Sequence, residues 1–380
     1  MSKRSLVVAG AAALTLMLAA CGSSSTTTTP SSSSPAPSDT SSSSAPSSSA
    51  PAAGGKVGVI LPDSASSARW ETADRKFLTD AFTAAGVTAD IQNANGDKAK
   101  FATLCDQFVS GGVKVLMIVN LDSDTGKACE AKATAQGIKT IDYDRLTLGG
   151  GASYYVSFDN VAVGTAQGQG LVKCMQANGK TSGPVALLNG SPTDNNATLF
   201  KQGYEAAIRA AGYSIVADQS VPNWDNTQAG TIFEQMFTKA NGNFVGVDAA
   251  NDGLGGAVIA VLAKNKLDGK IPVTGQDATD TGLQNVLLGT QCMTVYKAIK
   301  KEADGASALA ISLAQGNAPT QQFGTVKDTK TGKDVPALLL VPQAIFNDSV
   351  KDVVADGFTT AAKLCTTAAL KAACTKYGVS

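Results

Sequence analysis

The chain has 380 residues with 31 basic and 31 acidic side chains, so its formal net charge is zero and nucleic acid is a poor partner. It contains no histidine, which removes the Ser-His-Asp triad, the usual general base and most zinc sites together. The stretch from Gly55 to Ser380 exceeds the roughly 250–300 residues over which a single core keeps growing, so two domains are predicted.

At the N-terminus, Lys3 and Arg4 precede an uncharged apolar run from Leu6 to Ala20. The run is shorter than the ~20 residues a membrane-spanning helix needs, and it reads as a signal peptide over residues 1–20. It ends in Leu18-Ala19-Ala20-Cys21-Gly22, which resembles the lipobox of bacterial lipoproteins. The resemblance implies that Cys21 is lipidated and anchors the chain to the outer face of the cell membrane. A plain secretory signal with a chance cysteine is the alternative, and it too exports the chain. Residues 21–55 are almost wholly Ser, Thr, Pro and Ala, with Asp39 the one charge. Such a segment cannot offset the entropy of ordering and is predicted to be a disordered linker with a reach of roughly 30 Å.

Beyond the linker, strand-like and helix-like segments alternate. Val57–Leu61, Val87–Gln92, Val115–Val119 and Thr140–Tyr143 read as strands, with helices around 69–85, 98–110 and 125–136. A second series reads Val185–Leu188, Ser214–Ala217, Phe244–Asp248 and Ile271–Thr274 as strands, again with helices between. Continuous apolar runs such as Val115–Val119 are what strands buried on both faces require, and the alternation predicts parallel sheets with crossover helices. The fold class is therefore α/β with two doubly wound, Rossmann-like lobes.

In such sheets ligands bind beyond the carboxyl ends of the strands. Those positions carry Arg69 and Trp70; Asp144 and Arg145; Gly190 to Ala197, including Asn195 and Asn196; Trp224; Asn251 and Asp252; Asp277; and Lys297. Both tryptophans and two of the five arginines fall there. Planar carboxylate, amide and guanidinium groups can bridge neighbouring hydroxyls of a monosaccharide, and aromatic faces cover its C–H patches. Taken singly, each residue has a structural reading: Asn251 as a helix N-cap, either Trp as packing, Asp144–Arg145 as a local ion pair.

Ala68-Arg69-Trp70, Asp142-Tyr143-Asp144-Arg145, Ser157-Phe158-Asp159-Asn160, Gly190-Ser191-Pro192-Thr193-Asp194-Asn195-Asn196-Ala197, Asn251-Asp252, Gly275-Gln276-Asp277-Ala278 and Met293-Thr294-Val295-Tyr296-Lys297 together resemble the D-xylose-binding proteins of ABC sugar importers. The resemblance runs from about Lys56 to Gly357. It implies the type I periplasmic-binding-protein fold, with two lobes joined by a three-strand hinge and the sugar in the cleft. Sugar contacts would come from Arg69, Asp144, Arg145, Asn195, Asn196, Asn251, Asp277 and Lys297, with Trp70 and Trp224 sandwiching the ring. One lobe would take residues 56–159 and 297–325, the other 162–293 and 338–380. Crossings would lie near Asp159-Asn160, Met293–Tyr296 and Lys327–Leu338. The implied partners are a monosaccharide, D-xylose first among aldoses, and the membrane subunits of an ABC importer. The chain would act as a monomer, with no cofactor and no enzymatic activity. Ser66-Ser67-Ala68 is smaller than the corresponding family wall, and the cysteines and the segment from Cys365 onward lack an obvious family counterpart.

Cys105, Cys129, Cys174, Cys292, Cys365 and Cys374 remain after Cys21. An even number in an exported chain suggests disulfides. The favoured pairs are Cys105–Cys129 and Cys365–Cys374, with Cys174–Cys292 following by elimination; six free buried thiols are the alternative. Asn120, Asp122 and Asp124 hint at a calcium loop, but Thr125 and Ala131 stand where such a loop needs Gly and Glu, so no metal is expected. Three other functions fit parts of this pattern: a carbohydrate-active enzyme using paired carboxylates, a sensory protein presenting its sugar to a receptor, and a transcription regulator of the same fold. The export signal argues against the last.

Overall fold

A computed structural model describes residues 55–380. The signal-peptide segment, Cys21 and the Ser/Thr/Pro/Ala tract through Gly54 lie outside the described residues. The first series is Val57–Leu61 (β1), Arg75–Ala84 (α1), Ala89–Asn93 (β2), Lys98–Ser110 (α2), Val115–Ile118 (β3), Ser123–Ala135 (α3), Lys139–Tyr143 (β4) and Tyr154–Phe158 (β5). Its strands pair in parallel in the order β2-β1-β3-β4-β5. The central strands β1 and β3 are buried along their whole length, whereas the edge strand β2 is half-exposed. That contrast follows from helices covering both faces of a parallel sheet.

The second series is Asn160–Ala177 (α4), Pro184–Asn189 (β6), Asn195–Ala210 (α5), Ser214–Ser220 (β7), Asn226–Lys239 (α6), Gly246–Ala249 (β8), Asp252–Lys264 (α7), Asp280–Leu288 (α8) and Thr294–Tyr296 (β9). Strands β7, β6 and β8 form a parallel sheet. Single parallel bridges, Val247 to Val273 and Gln276 to Val295, continue it toward β9. The segment read as a strand at Ile271–Thr274 is therefore only a bridge at Val273. Pro272 has no N–H to give a longer ladder. Helix α4 lies directly against α5: a side chain at Gly164 would collide with the Phe200 backbone, and one at Gly203 with the Val161 carbonyl.

The chain then returns to the first sheet. Ile299–Ala314 (α9) buries Ala303, Ala306, Leu309 and Ala310 against β1, β3 and β4 residues. Gly324–Lys327 (β10) pairs antiparallel with Asp334–Leu340 (β11), and β11 pairs in parallel with β5 as far as Leu340 opposite Phe158. The crossing expected near Lys327–Leu338 therefore lies later, between Leu340 and Gln343. The hydrogen bonds of β11 to β5 hold residues 324–340 in the first sheet. Gln343–Ile345 (β12) then joins β9. Val350–Ala355 (α10), Ala361–Leu364 (α11) and Ala368–Tyr377 (α12) pack with α8 around Leu283, Val286, Leu287, Val353, Leu364 and Leu370.

The six cysteines lie in the three favoured pairs. The Cα atoms of Cys105 and Cys129 are 5.8 Å apart, those of Cys174 and Cys292 6.4 Å, and those of Cys365 and Cys374 6.1 Å. These separations suit disulfides. Among the described residues, no helix is long and apolar enough to cross a membrane.

Candidate functional site

The carboxyl ends of the two sheets face one another across a cleft, and the residues following the strands fill it. Beyond β1 the chain enters a short π-helix, Trp70–Asp74, before α1 begins. The irregular turn brings Arg69 and Asp74 side by side in the interior. Arg69 donates from Nε and Nη2 to Asp74 at 2.9 and 2.7 Å, from Nη2 to Glu302 at 2.6 Å and from Nη1 to Asp144 at 2.8 Å. A guanidinium has five N–H donors, so a single N–H is left for a ligand. Burial pushes the Glu302 carboxyl well up, with Arg69 opposing and Asp144 and Asp74 adding to the shift. Burial alone would also raise Asp144, but Arg69, Lys297 and Arg145 outweigh it and hold that carboxylate below its ordinary range.

At the end of β4, Asp144 has φ +64°. Its turned carbonyl accepts from Ser157 Oγ at 2.7 Å, Asn196 Nδ2 at 2.9 Å and Tyr155 Oη at 3.1 Å. Arg145 reaches across the cleft, with Nε 3.0 Å from Asp194 Oδ2. The same Asp194 oxygen accepts the Trp224 indole N–H at 3.1 Å. Gly190 makes room for Trp224, because any Cβ there would collide with the indole ring. On the other wall, Trp70 donates to Ser66 Oγ at 3.1 Å, and the Arg69 guanidinium lies 4.4 Å from its ring centroid.

The remaining corner closes through Asp277, whose carboxylate lies 2.9 Å from Lys297 Nζ and accepts from Ser67 Oγ at 3.1 Å. Asn251 caps α7 by accepting from Leu254 N–H at 2.9 Å, and its amide nitrogen donates across the cleft to the Ser66 carbonyl at 3.2 Å. The capping role and the cleft role are thus one side chain used at both ends.

All the expected residues except Asn195 line one buried chamber. Asn195 is the first residue of α5, and successive helical residues point in different directions, so the register that brings Asn196 inward excludes its neighbour. Ser66, Ser67, Asp194, Phe200 and Gln276 line the same chamber without having been named as contacts, although Asp194 and Gln276 fall within the strand-end motifs. Sequence reasoning missed Asp74 and Glu302, which grip Arg69. Backbone strain is one mark of the site. Asp144, Asn223, Trp224, Asp277 and Ala278 are five of the eight non-glycine residues with positive φ among those described. Such conformations cost ~1–3 kcal/mol each and collect at functional sites.

The chamber has a volume of about 30 Å³, closed by these side-chain pairs. It opens onto a groove of about 600 Å³ that shares Ser66, Arg145, Asp194 and Trp224 with it. Another groove, of about 630 Å³, lies between β7 and α6, but none of the expected residues lines it. The converging charges and aromatics single out the smaller space.

Residues 57–318 match the periplasmic binding protein domain family. The chain belongs to this family. The binding protein is 32% identical over 311 residues to the D-xylose-binding periplasmic protein of Escherichia coli (strain K12), an alignment covering 80% of this chain and 90% of that one. It is 30% identical over 330 residues to the multiple sugar-binding periplasmic receptor ChvE of Rhizobium radiobacter, with 80% and 90% coverage. Among solved structures it resembles a carbohydrate transporter solute-binding protein from Chloroflexus aurantiacus in complex with D-glucose. The TM-score is 0.72 at 29% identity, covering 81% of this chain and 97% of that one. The two-lobed type I architecture is common to the family, and these relatives are solute-binding proteins rather than enzymes.

Proposed function

We propose that this is an extracytoplasmic sugar-binding protein of the ABC-importer type, and that it takes a monosaccharide, D-xylose first among aldoses, into the chamber. The observation that carries the reading is the convergence of Arg69, Asp144, Arg145, Asn196, Asn251, Asp277 and Lys297 with two tryptophans between facing strand ends. These groups are bidentate hydroxyl partners and ring covers, the chemistry an aldose requires. Relatives named for D-xylose and for multiple sugars support the sugar class. In the present pairing, Arg145 and Lys297 hold carboxylates that a sugar hydroxyl would share or replace. Lobe rotation about the three crossings would open the chamber for entry. Cys21 would carry the lipid, and a monomer would deliver the sugar to the importer's membrane subunits.

Isothermal titration against D-xylose, D-glucose, D-ribose and D-galactose tests this. Saturable one-to-one binding of at least one aldose, tightest for D-xylose, is expected. No binding of any of them overturns the sugar reading, and a clear preference for another aldose overturns the xylose assignment alone. A second reading is presentation of the sugar to a sensory receptor, for which the same clamp would serve; one relative is itself named a receptor. Loss of sugar uptake on deletion of the gene supports transport, and loss of a sugar response with uptake intact supports sensing.

A further inference from the structure

Arg145 sits on a loop that a buried carboxyl pair holds from below. Asp142, on β4, is fully buried. One of its oxygens accepts from the Thr147 N–H at 2.6 Å and the other from the Thr147 hydroxyl at 2.8 Å. Asn120, just beyond β3, ties the same loop again. Its amide nitrogen donates to the Arg145 carbonyl and to Thr147 Oγ1, both at 3.0 Å. Its backbone carbonyl accepts from Arg145 Nη1 at 3.2 Å. Hydrogen bonds thus run unbroken from Asp142 through Thr147 and Asn120 to the guanidinium.

Helix α3 presses on this loop from beneath. A Cβ at Gly126 would meet Thr147 Oγ1 at 2.6 Å, and one at Gly150 would collide with the Glu130 carboxylate. Glu130 is fully buried and neither of its oxygens is offered a donor. Ionised, it would be an uncompensated charge; protonated, it can donate to Asp142 beside it. Burial, then the Asp142 charge, pushes the Glu130 carboxyl up to about 11, and burial pushes Asp142 to about 6. The other charged groups around the pair are Asp328, which accepts from the Gly149 N–H at 2.9 Å, and the side chains of Lys127 and Lys330 flanking Gly149.

We propose that the Glu130–Asp142 carboxyl pair positions Arg145 for the sugar, acting through Thr147 and Asn120. The inference rests on the sugar-binding reading of Arg145. With Asp142 ionised, both its oxygens accept and the Thr147 turn is fixed, while Glu130 supplies the proton that lets two carboxyls occupy one buried space. A second proton on Asp142 turns an acceptor into a donor: on the oxygen facing the Thr147 N–H it breaks that bond, and on the other it reverses the bond with the Thr147 hydroxyl. Sugar affinity therefore falls as the pH drops through about 6.

The test is a double-mutant cycle read by calorimetry with D-xylose and D-glucose at roughly pH 7.5 and roughly pH 5. Asp142→Asn should weaken binding about tenfold at the higher pH and have little further effect when Arg145 is already alanine. Thr147→Val should behave likewise and serves if Asp142→Asn does not fold. Glu130→Gln, which keeps a donor, should retain affinity that Glu130→Ala loses. Additive effects of Asp142→Asn, or of Thr147→Val, with Arg145→Ala would overturn the positioning role. Unchanged affinity in Arg145→Ala alone would instead overturn the sugar-site reading on which it rests.

Discussion

Asp194 joins two side chains proposed to meet the sugar, Arg145 and Trp224, through one oxygen. Asp194→Ala frees both, and a loss of at least tenfold in sugar affinity is expected by calorimetry, similar to that expected for Arg145→Ala. An unchanged affinity in either folded variant would exclude that residue from the site. Asp248, in the core of the second sheet, makes a different prediction. It is fully buried, both its oxygens lack a donor, and burial pushes its carboxyl to about 8. The folded state holds the proton more tightly than the unfolded chain, so this group's contribution is complete below the ordinary carboxylate range and is lost as pH rises through about 8. Asp248→Asn should therefore raise stability at neutral pH, by up to about 4 kcal/mol at 1.36 kcal/mol per unit, and give no gain near pH ~4. Thermal melts at the two pH values would show it, and an equal shift at both would count against the linkage.

The strand-to-helix turns place each side chain at the height and angle the chamber uses. Gly190, at the end of β6, leaves the space that the Trp224 ring fills. Gly190→Ala should displace the indole at a cost of ~1–3 kcal/mol, roughly a fivefold to hundredfold loss of affinity, with a shift in tryptophan emission. Unaltered emission and binding would mean the ring adjusts freely. The cysteine pairs lie between α2 and α3, between α4 and the chain entering β9, and between the end of α11 and α12. Alkylation of the denatured, unreduced protein should leave Cys105, Cys129, Cys174, Cys292, Cys365 and Cys374 unlabelled; labelling at all of them would show free thiols.

Across the whole molecule, the lobes meet through Arg145–Asp194, Ser67–Asp277, Ser66–Asn251 and Asp144–Asn196. These contacts join parts of the sequence that only three crossings connect. Rotation about the crossings alters the separation of the lobes, so saturating sugar should change the radius of gyration measured by X-ray scattering. A value unmoved by sugar would argue for a rigid cleft. Cys21→Ala should release the protein into the medium with its sugar affinity intact; retention at the cell would exclude the lipid tether.

Local chemistry made much of this legible. The expected helix 98–110 coincides with α2, whose Asp97 cap accepts from Ala99 and Lys100 N–H groups. The apolar runs at β1 and β3 are explained by burial on both faces. The strand-end rule brought Arg69, Asp144, Arg145, Trp224 and Asn251 into view because it depends only on alternation. Asn120, set aside with the failed calcium pattern, instead ties the Arg145 loop. Ile271–Thr274 misled because a β-branched run does not show how many ladder partners it will find. What only tertiary structure decided is partnership. Glu302 lies 233 positions from Arg69 and Glu130 sits on a helix whose pattern gives no hint of Asp142. Sequence determines the strands, the turns and the residues at their ends, since these follow from short-range geometry. Which buried charges meet, and which of them keep a proton, depends on distances that exist only once the sheets and helices have packed.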